Sequence, residues 1–465
     1  MKKAFQGGKY LLTNTIIFSV GNFSTKLIAF FLVPFYTHVL TTEEYGTIDL
    51  IFTICTIISP FLMFNIHEAI KRYSLDKNAD YDSILTNAFI MIIFGHLVGL
   101  LIFPCSSFMK NINQHIIQVY FYSVSMTSNL VFLEYLRGRE KMVTYTICGI
   151  ASTIIIALLN ILFLKNFRLG VEGYFLSYII GYSVSSIIAI IVGKQYLVLF
   201  KWNFNRRLFR KMIIFSLPLI PNSLMWWVSN FSDRIMVTYM IGIAANGIYT
   251  ISYKIPTMIS TVCNIFFQAW QFTAVKVKDT QNNIEFTNKI FKAYVGFIVL
   301  FSSVLLVFIK PFMRIYVSAD FFEAWKYTPV LIVGFAFSSL GTFIGTPYYV
   351  EKDMKGNLFS ATVGAMINVF LNFFLIPVLG IQGAAIATCI SYISVFVYRL
   401  IDTQKYIALD FKNKQYALQI FLFLSLLLLS YWENTIHYFI MIVIVCLEVI
   451  CNIDIIKLFV LRNEN

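Results

Sequence analysis

The chain has 465 residues, of which 58% are hydrophobic and only 13% are charged, and its mean hydropathy is +0.75. A soluble protein of this length has about 25% charged residues, so this chain cannot cover a surface that faces water. Lipid must therefore be its main solvent. The net charge of +13 indicates contact with anionic lipid headgroups rather than with nucleic acid.

Fourteen apolar stretches are long enough to cross a hydrocarbon layer of about 30 Å as helices. Barrel strands would be about ten residues long and would alternate strictly between apolar and polar residues. The sequence therefore predicts an all-α polytopic membrane protein. In chain order the predicted spans are 11–39, 47–70, 83–105, 115–136, 142–164, 170–193, 211–240, 248–273, 287–310, 325–350, 357–377, 381–401, 416–431 and 436–458.

Lysine and arginine in the loops predict the orientation, because cytoplasmic loops carry an excess of both residues. If the N-terminus is inside, the inner segments hold 27 of the 36 basic residues and the outer loops hold six. The remaining three lie inside spans. This bias predicts that both termini are cytoplasmic.

A short glycine motif occurs twice, as LGVEG at 169–173 and as LGIQG at 379–383. Both copies lie at predicted outer turns, where glycine lets the chain reverse without a Cβ clash. Two further matches occur in the same order and at similar offsets. They are THVLTTEEYG at 37–46 with TYMIGIAANG at 238–247, and Glu68-Ala69 with Gln268-Ala269. Three ordered matches indicate an internal repeat.

Six spans separate the two copies of the motif, and an even number places both halves in the same orientation. The sequence therefore predicts two parallel six-helix lobes around a central cavity, at 1–205 and 206–415, followed by two additional helices at 416–465. Two such halves around one cavity are typical of a transporter. The alternative is a duplicated scaffold without transport.

Charged residues inside the spans are the candidate functional groups, because an ionisable side chain in the bilayer needs a lumen or a partner. Lys26 lies about 24 Å from the inner end of span 1 and has polar neighbours, which favours a functional role, the alternative being a structural pair with a carboxylate. Asp233 and Arg234 on span 7 lie at a similar depth to Lys254 on span 8. Asp233 and Lys254 are predicted to face each other. The alternative is an interhelical salt bridge that only holds the fold.

No sequence motif indicates catalysis or a metal. The chain has no GxxxxGK[ST] loop for ATP, no HExxH and no GxSxG, and its seven cysteines form no CxxC pair. The outer loops are too short to hold an external active site. The sequence therefore predicts a protein that is not an enzyme and needs no cofactor.

Four segments resemble the bacterial polysaccharide flippases, the Wzx-type transporters of O-antigen and capsule repeat units in the multidrug/oligosaccharidyl-lipid/polysaccharide exporter superfamily. The similarity covers most of the chain and is strongest in spans 1–2 and 7–8. The segments are FYTHVLTTEEYGTIDL (35–50), EAIKRYSLD (68–76), FSLPLIPNSLMWWVSNFSDR (215–234) and YTISYKIPTMISTVCNIFFQAWQ (249–271).

The resemblance implies fourteen helices in two lobes and transfer of an undecaprenyl-pyrophosphate-linked oligosaccharide to the outer leaflet of the cytoplasmic membrane. It also implies alternating access coupled to an H⁺ or Na⁺ gradient. A polysaccharide polymerase and a chain-length regulator are the protein partners that it implies. Nucleic acid is not an expected partner.

In this family the cations of the cavity are thought to meet the pyrophosphate, and this role is carried here to Arg72, Arg234 and Lys254. Lys26 is added to the predicted pyrophosphate site on its depth alone. Asp233 and Glu68 are the predicted ion-coupling carboxylates.

Two other functions are compatible with this hydropathy. A multidrug exporter of the same superfamily would share the fold but would favour an acidic lumen, whereas the buried charges here are mostly cationic. A membrane glycosyltransferase or polymerase should carry a catalytic loop outside the bilayer, and the sequence has none of sufficient length.

Overall fold

The computed structural model describes residues 23–76, 78–102, 113–277, 283–351, 353–409, 414–432 and 436–453. These residues form helices and short connections, with no strand among them. The all-α prediction is therefore confirmed. Residues 11–22 of the first predicted span, 103–105 of the third and 454–458 of the last lie outside the described residues.

The chain divides into two compact units, Met1–Val228 and Ser229–Asn465. The division falls within the helix Leu219–Met240. The predicted boundaries of the two lobes and the C-terminal helix pair, after residues 205 and 415, stay predictions. The helices of unit 1 are α1 (Phe23–Val39), α2 (Thr42–Leu62), α3 (Ile66–Ser74), α4 (Tyr81–Ile102), α5 (Ile116–Gly138), α6 (Met142–Asn160), α7 (Gly170–Val192), α8 (Gln195–Lys201) and α9 (Arg206–Ser216).

The helices that follow are α10 (Leu219–Met240), α11 (Ile243–Ser252), α12 (Pro256–Val277), α13 (Asn283–Tyr316), α14 (Thr328–Ile344), α15 (Thr346–Val350), α16 (Met354–Leu379), α17 (Ile381–Asp402), α18 (Lys414–Leu429) and α19 (His437–Cys451). Their order repeats that of the long helices of unit 1. Thus α11 begins 201 residues after α2, α13 begins 202 residues after α4, and α17 begins 211 residues after α7.

The number of membrane crossings stays a prediction. In the described part of the chain, nine helices are long and apolar enough to cross a membrane, or ten if one bent pair counts as a single span. Four shorter apolar helices and the bent pair coincide with the other five predicted spans. They are Phe23–Val39, Pro256–Phe267, Lys414–Leu429, His437–Cys451 and the pair Arg206–Met225 with Asn230–Met240.

The two glycines of the repeated motif have different tasks. The first glycine of each copy has a left-handed backbone, with φ of +52° at Gly170 and +61° at Gly380, a conformation that glycine adopts without strain. The second glycine allows close packing. A Cβ on Gly383 would lie 2.3 Å from the carbonyl oxygen of Leu375, and one on Gly173 would lie 2.8 Å from the Leu169 side chain.

A capping box opens α2 and explains the TTEE sequence. The Thr41 hydroxyl accepts from the Glu44 backbone N–H at 3.1 Å, and the Glu44 carboxylate accepts from the Thr41 backbone N–H at 2.9 Å. These bonds satisfy two donors that a helix start leaves free. A Cβ on Gly170 would lie 2.5 Å from a carboxylate oxygen of Glu44, so the starts of α2 and α7 lie side by side.

The predicted second and eighth spans are each broken into two helices. Phe64 and Asn65, both with φ of +51°, separate α2 from α3. Residues 253–255 separate α11 from α12, and Pro256 opens α12, a position where its missing N–H costs nothing. Both segments are predicted from the sequence as continuous helices, so these breaks are a correction.

The predicted orientation can be tested by labelling single cysteines with a reagent that does not cross membranes. Cysteines at Glu43, Ala244 and Gln382 should react from outside intact cells, and cysteines at Lys201 and Lys405 should react only after lysis. Glu43, Ala244 and both lysines are exposed. A further inner position, Lys77, lies outside the described residues. Reversed labelling of either set would overturn the orientation.

Candidate functional site

Asp233 lies at the centre of a buried polar cluster in unit 2. Its side chain is only 4% exposed and lies on α10, seven residues, or about 10 Å, before Met240. Its Oδ2 atom accepts hydrogen bonds from the hydroxyls of Tyr253 at 2.5 Å, Tyr249 at 2.7 Å and Thr388 at 3.3 Å. Three hydroxyl groups thus converge on one carboxyl oxygen of Asp233.

A second layer of amides extends this cluster. Asn368 donates from Nδ2 to the Thr388 hydroxyl oxygen at 3.2 Å, and Asn372 donates from Nδ2 to Oδ1 of Asn368 at 2.9 Å. The Ser232 hydroxyl also donates to Oδ1 of Asn368, at 3.3 Å. Each group therefore donates a hydrogen bond to the next, from α16 through α17 to Asp233, and the carboxylate is the final acceptor. This common direction of the hydrogen bonds explains how neutral groups stabilise a buried charge.

Arg234 follows Asp233 on α10 and is half-buried. Its guanidinium carbon lies 5.2 Å from the ring centre of Phe231 and 5.5 Å from that of Tyr253, which are cation–π distances. The Tyr253 side chain thus contacts the arginine with its ring and the aspartate with its hydroxyl. One tyrosine links a buried anion to the neighbouring cation.

The helix starts place these groups at one depth within unit 2. Tyr249 lies six residues into α11, and Thr388 lies seven residues into α17. Both are therefore about 10 Å from the turns that contain Gly242 and Gly380. The repeated glycine motif sets the register of α17, and this register brings Thr388 to Asp233.

Lys254 is half-buried and lies in the break between α11 and α12. It follows Tyr253 directly, so it is near the cluster along the chain. The ion pairs of the described residues do not include one between Lys254 and Asp233. Three hydroxyls contact the carboxylate, and a role for Lys254 stays a prediction.

The predicted residues of unit 1 lie in two places. Lys26 is exposed on α1. On α3, the Arg72 guanidinium lies 2.7 Å from the Asp76 carboxylate, and Lys71 lies 2.8 Å from Glu68. The hydrogen bond and the charge of Asp76 raise the pKa of Arg72 above its usual value. Within unit 1, the structure brings Arg72 and Glu68 onto one short helix.

Among the described residues, no group of three or more histidine, cysteine or acidic side chains has the geometry to hold a metal ion. Asp233 and Arg234 are predicted from the sequence, whereas Tyr249, Tyr253 and Thr388 are not. The sequence did contain a signal for this cluster: the two tyrosines are four residues apart, and Asn368 and Asn372 have the same spacing. Polar residues at that spacing share one face of a helix.

The fold is similar to solved transporter structures. A structure of the lipid II flippase MurJ in an inward closed conformation aligns with a TM-score of 0.72 and 16% identity, covering 96% of this chain and 100% of that one. An inward-facing multidrug resistance MATE family transporter of the MOP superfamily aligns with a TM-score of 0.65 and 13% identity, covering 82% and 94%.

A MOP superfamily transporter from Pyrococcus furiosus aligns with a TM-score of 0.58 and 14% identity, covering 85% of this chain and 95% of that one. At these identities the likeness concerns the fold. With the many apolar helices, it shows a multi-pass membrane protein of the architecture of flippases and MATE transporters. No curated protein matches the sequence.

One family model matches residues 11–272, and it is described as polysaccharide biosynthesis protein. The matched segment is more than half of the chain and contains Lys26, Glu68, Arg72, Asp233, Arg234 and Lys254. The chain therefore belongs to the polysaccharide biosynthesis protein family.

Proposed function

We propose that the protein is a flippase that moves undecaprenyl-pyrophosphate-linked oligosaccharide repeat units from the inner to the outer leaflet of the bacterial cytoplasmic membrane. The product would serve the synthesis of capsule, O-antigen or another surface polysaccharide. The observation that carries this proposal is a half-buried guanidinium, Arg234, on an apolar helix inside the segment that matches a polysaccharide biosynthesis family.

The chemistry of the substrate accounts for the cation. A pyrophosphate carries at least two negative charges and loses hydration when it leaves the headgroup region. A guanidinium offsets that loss with paired hydrogen bonds to phosphate oxygens, and its weak hydration lowers the cost of burying it. Arg234, Lys254, Arg72 and Lys26 are the residues that we assign to this binding.

The cluster around Asp233 supplies the proposed coupling to an ion gradient, and Glu68 is a second candidate carboxylate. An ionised Asp233 accepts from three hydroxyls. A protonated Asp233 has a donor of its own, so the hydroxyls around it must redistribute their hydrogens. The hydrogen-bond network thus has two arrangements, one for each protonation state of Asp233. A bound proton or cation that stabilises one arrangement can favour one state of a transporter.

The experiment that tests the proposal uses purified protein in liposomes and a fluorescent undecaprenyl-pyrophosphate oligosaccharide. We expect Arg234→Ala to slow its movement between leaflets by about tenfold or more, since a hydrogen bond to a charged group contributes about 1.5–3 kcal/mol. Arg234→Lys should restore only part of the rate, because lysine lacks the paired donors. Lys26→Arg should keep most of the activity.

We expect Arg72→Ala to slow transport less than Arg234→Ala, because the exposed Arg72 side chain is already paired with Asp76. Arg206→Ala is the matched control, an exposed arginine at the start of α9. Normal transport by the alanine variants of Lys26, Arg72 and Arg234, at normal abundance, would exclude the pyrophosphate role.

A multidrug exporter is the second candidate function, because MATE transporters share the fold. It predicts that the same liposomes move cationic dyes and not the lipid-linked sugar. The half-buried Arg234 argues against a cationic substrate, whereas Lys26 and Arg72 are exposed and do not bear on this choice. Movement of dye with no movement of the lipid-linked sugar would replace the proposed function by this one.

A further inference from the structure

A buried carboxyl group lies far from the proposed substrate site in sequence, on the last described helix. Glu448 of α19 has no exposed surface. Neither of its carboxyl oxygens has a hydrogen-bond partner among the described residues, and the ion pairs in that part of the chain do not involve it. A charged carboxylate so placed in a bilayer is expensive unless it is paired.

The surroundings of Glu448 are polar but neutral. Two helices, α13 and α18, pack against α19. From α13, the hydroxyls of Ser302 and Ser303 are buried and have no partner in the described part of the chain. The Ser303 hydroxyl lies near the Glu448 carboxyl, although no hydrogen bond of normal geometry joins them. A protonated Glu448 therefore has a nearby oxygen that can accept a hydrogen bond from its O–H.

Two side-chain amides join the end of α19 to α18. Gln419 of α18 donates from Nε2 to Oδ1 of Asn452 at 2.8 Å, and Asn452 donates from Nδ2 to the backbone carbonyl of Glu448 at 2.8 Å. Both amides are buried. They fix the end of α19 against α18.

The titratable and charged groups on the packed helices are distant in sequence or neutral. The nearest described cations of α13 are Lys310 and Lys292, seven and eleven residues from Ser303, which corresponds to about 10 and 16 Å along the helix. On α18 the nearest such groups are Tyr416 and Lys414, and α19 itself begins with His437. Lys414 and His437 lie at helix ends.

We propose that Glu448 is a proton-binding site that controls how the C-terminal helix pair packs on α13. The bound proton keeps the group as a neutral carboxylic acid, whose O–H donates to the Ser303 hydroxyl oxygen. The proton passes to water when α19 separates from α13, and the carboxylate that remains must stay hydrated. Re-packing of the pair therefore requires uptake of one proton.

This proposal goes beyond the proposed function, because α18 and α19 lie outside both the family match and the predicted repeat. It needs no transported substrate for its test. The measurement is infrared spectroscopy of the full-length protein in lipid nanodiscs at pH 7. A protonated carboxylic acid has a C=O stretching band that is separate from the bands of carboxylates and amides.

We expect the wild-type protein to show this band and Glu448→Gln, which has nearly the same shape, to lose it. Glu323→Gln is the matched control, because Glu323 is exposed and pairs with Lys326 at 3.4 Å, and this variant should keep the band. A wild-type spectrum without the band, or a difference spectrum of wild type minus Glu448→Gln without it, would overturn the proposal.

Ser303→Ala gives an independent check should Glu448→Gln fail to fold. It leaves the carboxyl in place and removes the acceptor, so the band should remain and move to higher frequency. A band unchanged by Ser303→Ala would show that the acid is elsewhere. Loss of the band on replacing potassium by sodium in the buffer would identify Glu448 as a sodium site and exclude a proton site.

Discussion

Replacing Asp233 by asparagine is expected to lower gradient-driven transport of the lipid-linked oligosaccharide by about 5–150-fold, the usual range for coupling between two binding sites. Asparagine has almost the same shape and keeps one oxygen to accept from Tyr249 and Tyr253. The protein should therefore fold and insert. Asparagine cannot bind and release a proton, so the gradient no longer favours one state of the network.

Transport should be measured in liposomes with and without an imposed pH or sodium gradient. The variant is expected to retain movement of substrate down its own gradient and to lose the response to the ion. Asp320→Asn is the matched control, since Asp320 is exposed. Full gradient-driven transport by Asp233→Asn would remove the cluster from the coupling mechanism.

The charge swap Asp233→Lys with Lys254→Asp separates coupling from a purely structural pair. If the two residues only held α10 to the break between α11 and α12, the swap would restore the abundance and transport lost in the single variants. Because Asp233 is held by hydroxyls, we expect the swap to leave transport impaired. A swap with full transport would contradict a coupling role.

Replacing Gly383 by alanine is expected to destabilise the protein by about 3 kcal/mol, at the upper end for overpacking. The new Cβ would lie 2.3 Å from the Leu375 carbonyl oxygen, and a backbone atom in a helix cannot move aside cheaply. The connection between α16 and α17 must open to admit the methyl group. The loss should appear as a lower melting temperature in detergent and lower abundance in the membrane.

Gly149→Ala is the matched control for this prediction. Gly149 lies within α6, and a methyl group added to it would have no heavy atom of another residue within 4 Å apart from its own helix backbone and chain neighbours. Alanine should therefore be neutral or stabilise the helix by up to about 1 kcal/mol. Equal melting temperatures for Gly383→Ala and the wild type would show that the close approach of α17 to α16 is not required.

The sequence predicts the helices well because lipid leaves few choices. Every backbone group must be bonded within its own segment, so apolar length alone locates helices such as α4 and α7. The glycines at 170 and 380 mark turns for a local reason, their left-handed backbone. The depth of Asp233 follows from counting residues back from the turn after Met240.

The contacts between distant segments are not predictable in this way. Thr388 lies 155 residues after Asp233, and nothing local to either residue indicates that they meet. The break at Phe64 and Asn65 is also hidden, because neither residue is a glycine or proline and both have positive φ. The neutral surroundings of Glu448 become visible only when α13 and α18 are seen to pack against α19.

The one-directional order of donors around Asp233 has a consequence for how a signal would leave the site. Each hydroxyl has a single hydrogen, so a proton added to the carboxyl makes one donor superfluous, and the nearest hydroxyls must rotate. Tyr249 belongs to α11 and Thr388 to α17, so both helices register the event through turned O–H bonds. Occupancy of the site would then be visible to vibrational and deuterium-exchange measurements before any heavy atom had moved.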